Sequence, residues 1–288
     1  MKEYHHNKGN KMKKILVSII VSMFAIMLTL AAEDPVTKRY NDAKNVMFID
    51  RNFSKAKADF EKIVKDNATT NKVILSQAQA GIGMCLIRMN KAEEAITEFQ
   101  KALDNYPEID TFHKANVSSL IGAAYLSKMD FDTCITYNRQ CLITYKDVGD
   151  TSLAQFQSSI GMAYFRKKDY DNALIEYQKV ISNYSQTRYV PTLFQTYDQI
   201  GNIYQLQRKF TEANLSWMNG IQKYVWELGA KDKNGVVWKT WNKISPKYVT
   251  EEQYKSFLEN TLKAIPPPLE DNAEFAGAVK SALGKIKL

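Results

Sequence analysis

Along the middle of the chain, apolar and polar residues alternate with a helical period. From Ile160 to Ile181 the sequence reads IGMAYFRKKDYDNALIEYQKVI. Ile160, Gly161, Tyr164 and Phe165 fall on one stripe of a helix, and Lys167-Lys168-Asp169 interrupts it with a turn. Tyr170, Ala173, Leu174, Tyr177, Val180 and Ile181 then resume the pattern at three-and-four spacing. This predicts two antiparallel amphipathic helices.

The same hairpin recurs. Gly83, Gly122, Gly161 and Gly201 are spaced 39, 39 and 40 residues apart, and each follows an isoleucine. Three residues after each glycine stands Leu86, Tyr125, Tyr164 or Tyr204, and twelve after it stands a small residue, Ala95, Cys134, Ala173 or Ala213. Ala56 adds a weaker copy upstream, with Lys44 in the glycine's place. A glycine and a small residue in register on two antiparallel helices mark where their axes cross closely. Beyond Gly229 the period stops. Asn234-Gly235 signals a turn, Trp238 and Trp241 share one face of a short helix, and Thr250 with Gln253 forms a capping box that opens a helix through Ala264. Pro266-Pro267-Pro268 ends it, and a last helix over about 271–286 carries Phe275, Val279, Ala282, Leu283 and Ile286 on one stripe.

These residues resemble the tetratricopeptide repeat (TPR). In the register of that family, glycine stands at position 8, tyrosine at 11, an aromatic at 17 (Phe53, Phe131, Tyr170, Phe210), a small residue at 20, and an aromatic at 24 (Phe60, Phe99, Tyr177, Trp217). The repeat cores are then 37–70, 76–109, 115–148, 154–187 and 194–227. The tryptophan usual at position 4 is replaced by Tyr40, Gln79, Ser118, Gln157 and Tyr197, and Asn138 stands at position 24 of the third repeat. The period exceeds that of a TPR by about five residues, which should lengthen helix B and the following helix A. The resemblance implies an all-α, right-handed solenoid of about five helical hairpins, closed by C-terminal capping or docking helices over 229–288.

Composition changes this picture little. Gly (12) and Pro (7) are scarce, against an all-β fold. The net charge of +8 draws on five lysines and one glutamate within residues 1–32, and the remainder is near balance with 34 basic and 30 acidic residues. That balance does not point to nucleic acid. Residues 1–32 themselves look like an export signal: Lys11, Lys13 and Lys14, an uncharged run from Ile15 to Ala32, and a small-residue exit at Ala31-Ala32. The run would span about 27 Å as a helix, short of a hydrocarbon core of about 30 Å but near enough for an uncleaved membrane anchor. The expectation is a periplasmic or extracellular protein, or one held to the membrane by residues 15–32.

Candidate chemistry is sparse. Cys85, Cys134 and Cys141 are odd in number and read as small buried residues. His113 is the one histidine outside the N-terminal segment, with no zinc spacing around it and no nucleophile flagged beside it. Gly81-Ile82-Gly83 lacks the third glycine and the preceding strand of a dinucleotide site. Glu93-Glu94 and Glu251-Glu252 belong in first helical turns, against the positive end of the dipole. No catalytic residue, cofactor or metal is expected.

What the resemblance does imply is a binding groove lined by positions 2, 5, 9, 12 and 13 of the A helices. Here these place Gln77, Asn116, Gln155 and Gln195 in one row, Ser119 and Ser158 in the next, then Met84, Met162 and Asn202, with Phe165 beyond. A ladder of carboxamides can pair with the backbone of an extended peptide, over an adaptable methionine floor. Positions 2 and 5 carry no lysine or arginine after the first repeat, so a carboxylate clamp for an acidic C-terminal tail is disfavoured. A protein or peptide segment is the expected partner. A structural module that self-associates or docks permanently into a larger complex through its C-terminal helices is the alternative, and a saccharide or other small ligand the weaker one.

Overall fold

The computed structural model describes residues 34–66, 71–107, 110–184, 190–229, 235–265 and 272–286. Within the described residues, the repeat patterns and the C-terminal helix patterns named above become helices. Five hairpins follow one another: α1 (Pro35–Phe48) with α2 (Phe53–Lys65), α3 (Lys72–Arg88) with α4 (Ala92–Asn105), α5 (Thr111–Ser127) with α6 (Phe131–Thr144), α7 (Asp150–Arg166) with α8 (Tyr170–Tyr184), and α9 (Val190–Leu206) with α10 (Phe210–Leu228). Then come α11 (Val236–Trp241), a 3₁₀ turn at Pro246–Tyr248, α12 (Glu251–Ala264) and α13 (Ala273–Gly284). The described residues contain no strand. The export signal or anchor expected over 1–32 lies outside the described residues, as do Asn234 and Pro266-Pro267-Pro268.

Local chemistry sets the helix ends. Asp34, Asn52, Asn71, Asp110 and Asp130 cap α1, α2, α3, α5 and α6 by accepting from backbone amides of the first turn. The capping box of Thr250 and Gln253 is present in full. From the second hairpin on, each A helix ends in a Schellman turn: the amides of Lys91, Asp130, Asp169 and Lys209 donate to the carbonyls of Leu86, Tyr125, Tyr164 and Tyr204 at 2.8–3.0 Å. The turn residue between is left-handed in every case, at Asn90, Met129, Lys168 and Arg208, with φ of 60–62°. Glycine usually fills that place, and this chain does without it. Most of the extra length per repeat goes into helix A. The helices α3, α5, α7 and α9 each have 17 residues and begin four residues ahead of the TPR cores, whereas the B helices α4, α6 and α8 have 14 or 15 and the last, α10, has 19.

The repeated glycines sit where the sequence pattern placed them, at the A–B crossing. A Cβ on Gly83, Gly122, Gly161 or Gly201 would come within 2.3–2.8 Å of Phe99, Asn138, Tyr177 or Trp217, the residue at position 24 of the same repeat. Gly81 meets Phe60 of the preceding repeat in the same way, which accounts for the second glycine of Gly81-Ile82-Gly83. Ala56, Ala95, Cys134, Ala173 and Ala213 are all sealed in the core.

Position 4 explains itself less obviously. Gln79 and Gln157 are buried and donate to Glu98 and Glu176, nineteen residues on, in helix B of the same hairpin. Glu176, only 7% exposed, also receives Lys179 at 3.1 Å. A buried carboxamide–carboxylate pair therefore stands where a TPR packs a tryptophan. Ser118 and Tyr197 fill the same position by bonding Tyr145 and Lys223.

Successive A helices pack against one another more closely than successive B helices do, so the stack curves with the A helices inside. At its C-terminal end, Phe257, Leu258, Phe275 and Val279 of α12 and α13 bury their faces in one core with α9 and α10. Trp238 and Trp241 pack on Phe275 at 5.1 and 5.3 Å.

Candidate functional site

The inner face of the A helices is the candidate site. Gln77, Met84, Asn116, Ser119, Gln155, Ser158, Met162, Phe165 and Asn202 are all half-buried there, and Gln195 is exposed. They do not form one free ladder. Gln77 lies 3.3 Å from Nε2 of His113 at the start of the next A helix, and Asn116 accepts from Ser152 at 3.4 Å across the next interface. These two amides tie neighbouring A helices together. Gln155, Ser158 and Gln195 have no hydrogen-bond partner among the described residues and remain available to a ligand.

At the N-terminal end, the C-terminal halves of α1, α3 and α5 open a groove of about 680 Å³ lined by Met47, Phe48, Phe53, Met84, Ile87, Phe99, Leu120 and Ala123. Arg51 and Arg88 stand on its rim. Phe48 is 60% exposed and leads directly into Ile49, which is 73% exposed. Met84 was expected here; Phe48, Leu120 and Arg51 were not. Phe48 sits at position 12 of the weakest repeat, and extending the five rows through that repeat would have found it.

At the C-terminal end, α11 crosses the face of α9. Lys243 Nζ donates to Asp198 Oδ1 at 2.6 Å and to Asn202 Oδ1 at 3.1 Å, and it stands 5.6 Å from the Trp217 ring centroid. Thr240 Oγ1 donates to the same Asp198 oxygen at 3.1 Å. Asn202, expected to face a ligand, is thus held by the chain's own Lys243. A shallower cavity of about 480 Å³ remains between α9 and α11, with Gln195 and Lys239 on its walls.

His113 stacks on Tyr106 at 5.6 Å, its Nδ1 lies 2.7 Å from Asp110 Oδ1, and it occupies the first turn of α5. Its Nδ1 edge is held by the N-cap of its own helix, and its Nε2 edge meets Gln77 of the preceding hairpin. All three cysteines are buried as free thiols. Burial pushes Cys85 and Cys141 up to about 11 and Cys134 up to about 12, so they stay protonated and poorly nucleophilic. Burial likewise raises the hydroxyls of Tyr106, Tyr137 and Tyr177. No cluster of three metal-ligating side chains occurs among the described residues, and no helix among them is long and apolar enough to cross a membrane.

Stacked helical hairpins, with a glycine facing an aromatic at the crossings of the second, fourth and fifth, define a TPR-like solenoid. The tetratricopeptide-repeat family model matches residues 77–108 and 159–187, which overlap the second and fourth hairpins. No curated protein matches the sequence. Among solved structures, aspartyl phosphate phosphatase F from Bacillus subtilis is similar at a TM-score of 0.59 and 12% identity, over 86% of this chain and 69% of that one. A Rap protein complexed with competence and sporulation factor is similar at 0.55 and 13% identity, over 86% and 76%. The Rap conjugation gene regulator of plasmid pLS20, in complex with the Phr* peptide, is similar at 0.54 and 16%, over 85% and 73%. At these identities the likeness is one of fold.

Proposed function

We propose that this chain is an exported TPR scaffold that catalyses nothing and holds a segment of another protein along the inner face of its A helices, within an assembly of the cell envelope. The observation that carries this reading is the apolar groove of about 680 Å³ between α1, α3 and α5. By helix register the same inner face carries Gln155 and Ser158 on α7, whose polar groups have no partner among the described residues. An extended or helical segment can lay side chains into the first part and pair its backbone with the second. The fold likeness to a regulator solved with the Phr* peptide makes a peptide the natural first partner to test. Export rests on the lysine-led, apolar, alanine-ended pattern of residues 11–32.

The alternatives are less well supported. Docking through the C-terminal helices would need their apolar faces, and Phe257, Phe275 and Val279 are already buried against this chain. A saccharide site built from tyrosines would need exposed rings, and Tyr177 and Tyr197 are core residues. The test is photo-crosslinking in the native compartment, with a probe at Ser158 and a control at Lys179, which lies on α8. Capture of one defined partner from Ser158 alone is expected. Self-crosslinking, or capture from Lys179 alone, removes the groove reading. Fractionation of the same cells decides export separately.

A further inference from the structure

The charge lining the groove limits what it can hold. Across the five inward rows of the A helices, the charged residues are Lys38, Arg88, Arg166 and Asp198. Asp198, the one carboxylate, is bonded by Lys243 at 2.6 Å and by Thr240 at 3.1 Å. The chain therefore neutralises its own anionic position with a lysine carried in by the segment after α11. What remains on the inner face is cationic. The cations concentrate where the groove is most apolar: Arg88 ends α3, and Arg51 is set on the rim by a left-handed backbone with φ of 53°. Neither guanidinium has an ion-pair partner among the described residues. Phe48, Met84, Ile87 and Leu120 lie between them as an apolar floor.

We infer that the partner segment is acidic as well as apolar: aliphatic or aromatic side chains enter the groove of α1, α3 and α5, and carboxylates of the same segment meet Arg51 and Arg88. This rests on the reading of the inner face as a peptide site. It differs from a clamp for an acidic chain terminus, since rows 2 and 5 carry no cation after Lys38, and the two arginines flank the apolar floor. Guanidinium pairs with carboxylate in a two-pronged geometry that a lysine would not reproduce. Opposite charge across a rim speeds encounter and selects partners more than it adds affinity, so the effect should be sensitive to salt.

The test is selection of a displayed library of short random peptides on the immobilised full chain, followed by affinity measurement with the enriched peptides. The expected pool combines Leu, Ile, Phe or Trp with Asp or Glu. Its binding should weaken by about tenfold or more in the Arg51→Glu, Arg88→Glu double variant, and should fall as the Debye length drops from about 30 Å to about 3 Å. Both arginines are exposed, and an unchanged circular dichroism spectrum shows that the variant folds. Selection on the double variant should enrich basic apolar peptides instead. A wild-type pool that is apolar but neutral or basic overturns the charge inference and leaves the peptide site standing. A pool that binds alike to wild type and to an Ala123→Trp variant, in which the new side chain at this exposed lining residue fills the groove, overturns both.

Discussion

Replacing Gly161 by alanine tests the idea that the repeat register is set by a steric limit at the A–B crossing. Two effects oppose each other. Alanine is favoured over glycine within a helix by about 0.8–1.0 kcal/mol. Against this, the new methyl would stand 2.8 Å from Tyr177 Cε1 and 2.9 Å from Cδ1, closer than a carbon can settle. Tyr177 is fully buried, so its ring cannot swing aside into solvent. Overpacking of this kind costs about 1–3 kcal/mol. The net is a destabilisation of up to about 2 kcal/mol, smaller than the clash alone because the propensity gain offsets part of it.

A second glycine isolates the packing effect. Gly277 lies in the middle of α13 with nothing within 4 Å of its notional Cβ. Gly277→Ala carries the same propensity gain and no clash, so it should stabilise by about 0.5–1 kcal/mol. Because a solenoid can open one hairpin at a time, each change is best read locally, by native-state hydrogen exchange of α7 and α8 for the first and of α13 for the second. The pair should shift in opposite directions. In a Tyr177→Leu background, where the ring edge is gone, Gly161→Ala should lose most of its cost. If Gly161→Ala instead protects α7 as Gly277→Ala protects α13, the crossing tolerates a methyl, and the steric account of the repeated glycines is wrong.

Other consequences can be checked more briefly. Gln157→Ala removes the amide donor to Glu176 and leaves a carboxylate only 7% exposed with a weaker set of partners, so urea unfolding should show a loss of about 1–3 kcal/mol. Met129, at φ 62° and 75% exposed, occupies the left-handed place of a Schellman turn, and Met129→Gly should raise stability by about 0.5–1 kcal/mol in the same assay. The three thiols should resist a disulfide reagent in the folded protein at pH 8 and react together in denaturant. Their folded pKa values lie above the ordinary thiol value of 9.0, so the native state holds protons that the unfolded chain releases; stability should be unaffected below about pH 8 and should fall as pH rises from about 9 toward 11–12. Truncation before α12 would expose the faces that buried Phe257 and Phe275 now cover, and aggregation is expected; a soluble monomer by light scattering would refute the capping role of α12 and α13.

The repeat was legible because each glycine faces position 24 across a crossing with no room for a side chain, which fixes residue type at a constant interval. Asn138 shows how far that constraint reaches. It replaces an aromatic in the third hairpin, yet it still packs on Gly122 and donates its amide to Cys134 O at 2.8 Å, so the crossing is kept by a side chain that contributes its own hydrogen bond. The position-4 pairs went unread. Gln79 with Glu98 and Gln157 with Glu176 share a spacing of nineteen residues, and that recurrence was the available signal. A buried Gln–Glu pair has no hydrophobic period, so a search by apolar pattern passes over it.

The groove was harder to read, for a physical reason. Helix register fixes which side chains face inward, and all ten expected residues do lie on the A helices. Register does not say which of those side chains the protein uses itself. Gln77 and Asn116 bond to the next A helix because the long A helices of this chain start four residues early and bring His113 and Ser152 alongside. Asn202 and Asp198 are taken by Lys243, which reaches them only because α11 folds back across α9 after the repeats have ended. Nothing in the spacing of Val236 to Lys243 carries that information, since six helical residues have too little periodicity to aim a helix. The consequence reaches beyond the cap. By covering the last hairpin's carboxylate, the segment after α11 gives the inner face a single sign of charge and takes Asp198 and Asn202 out of the open surface, so the element that closes the solenoid also shapes the face it leaves exposed.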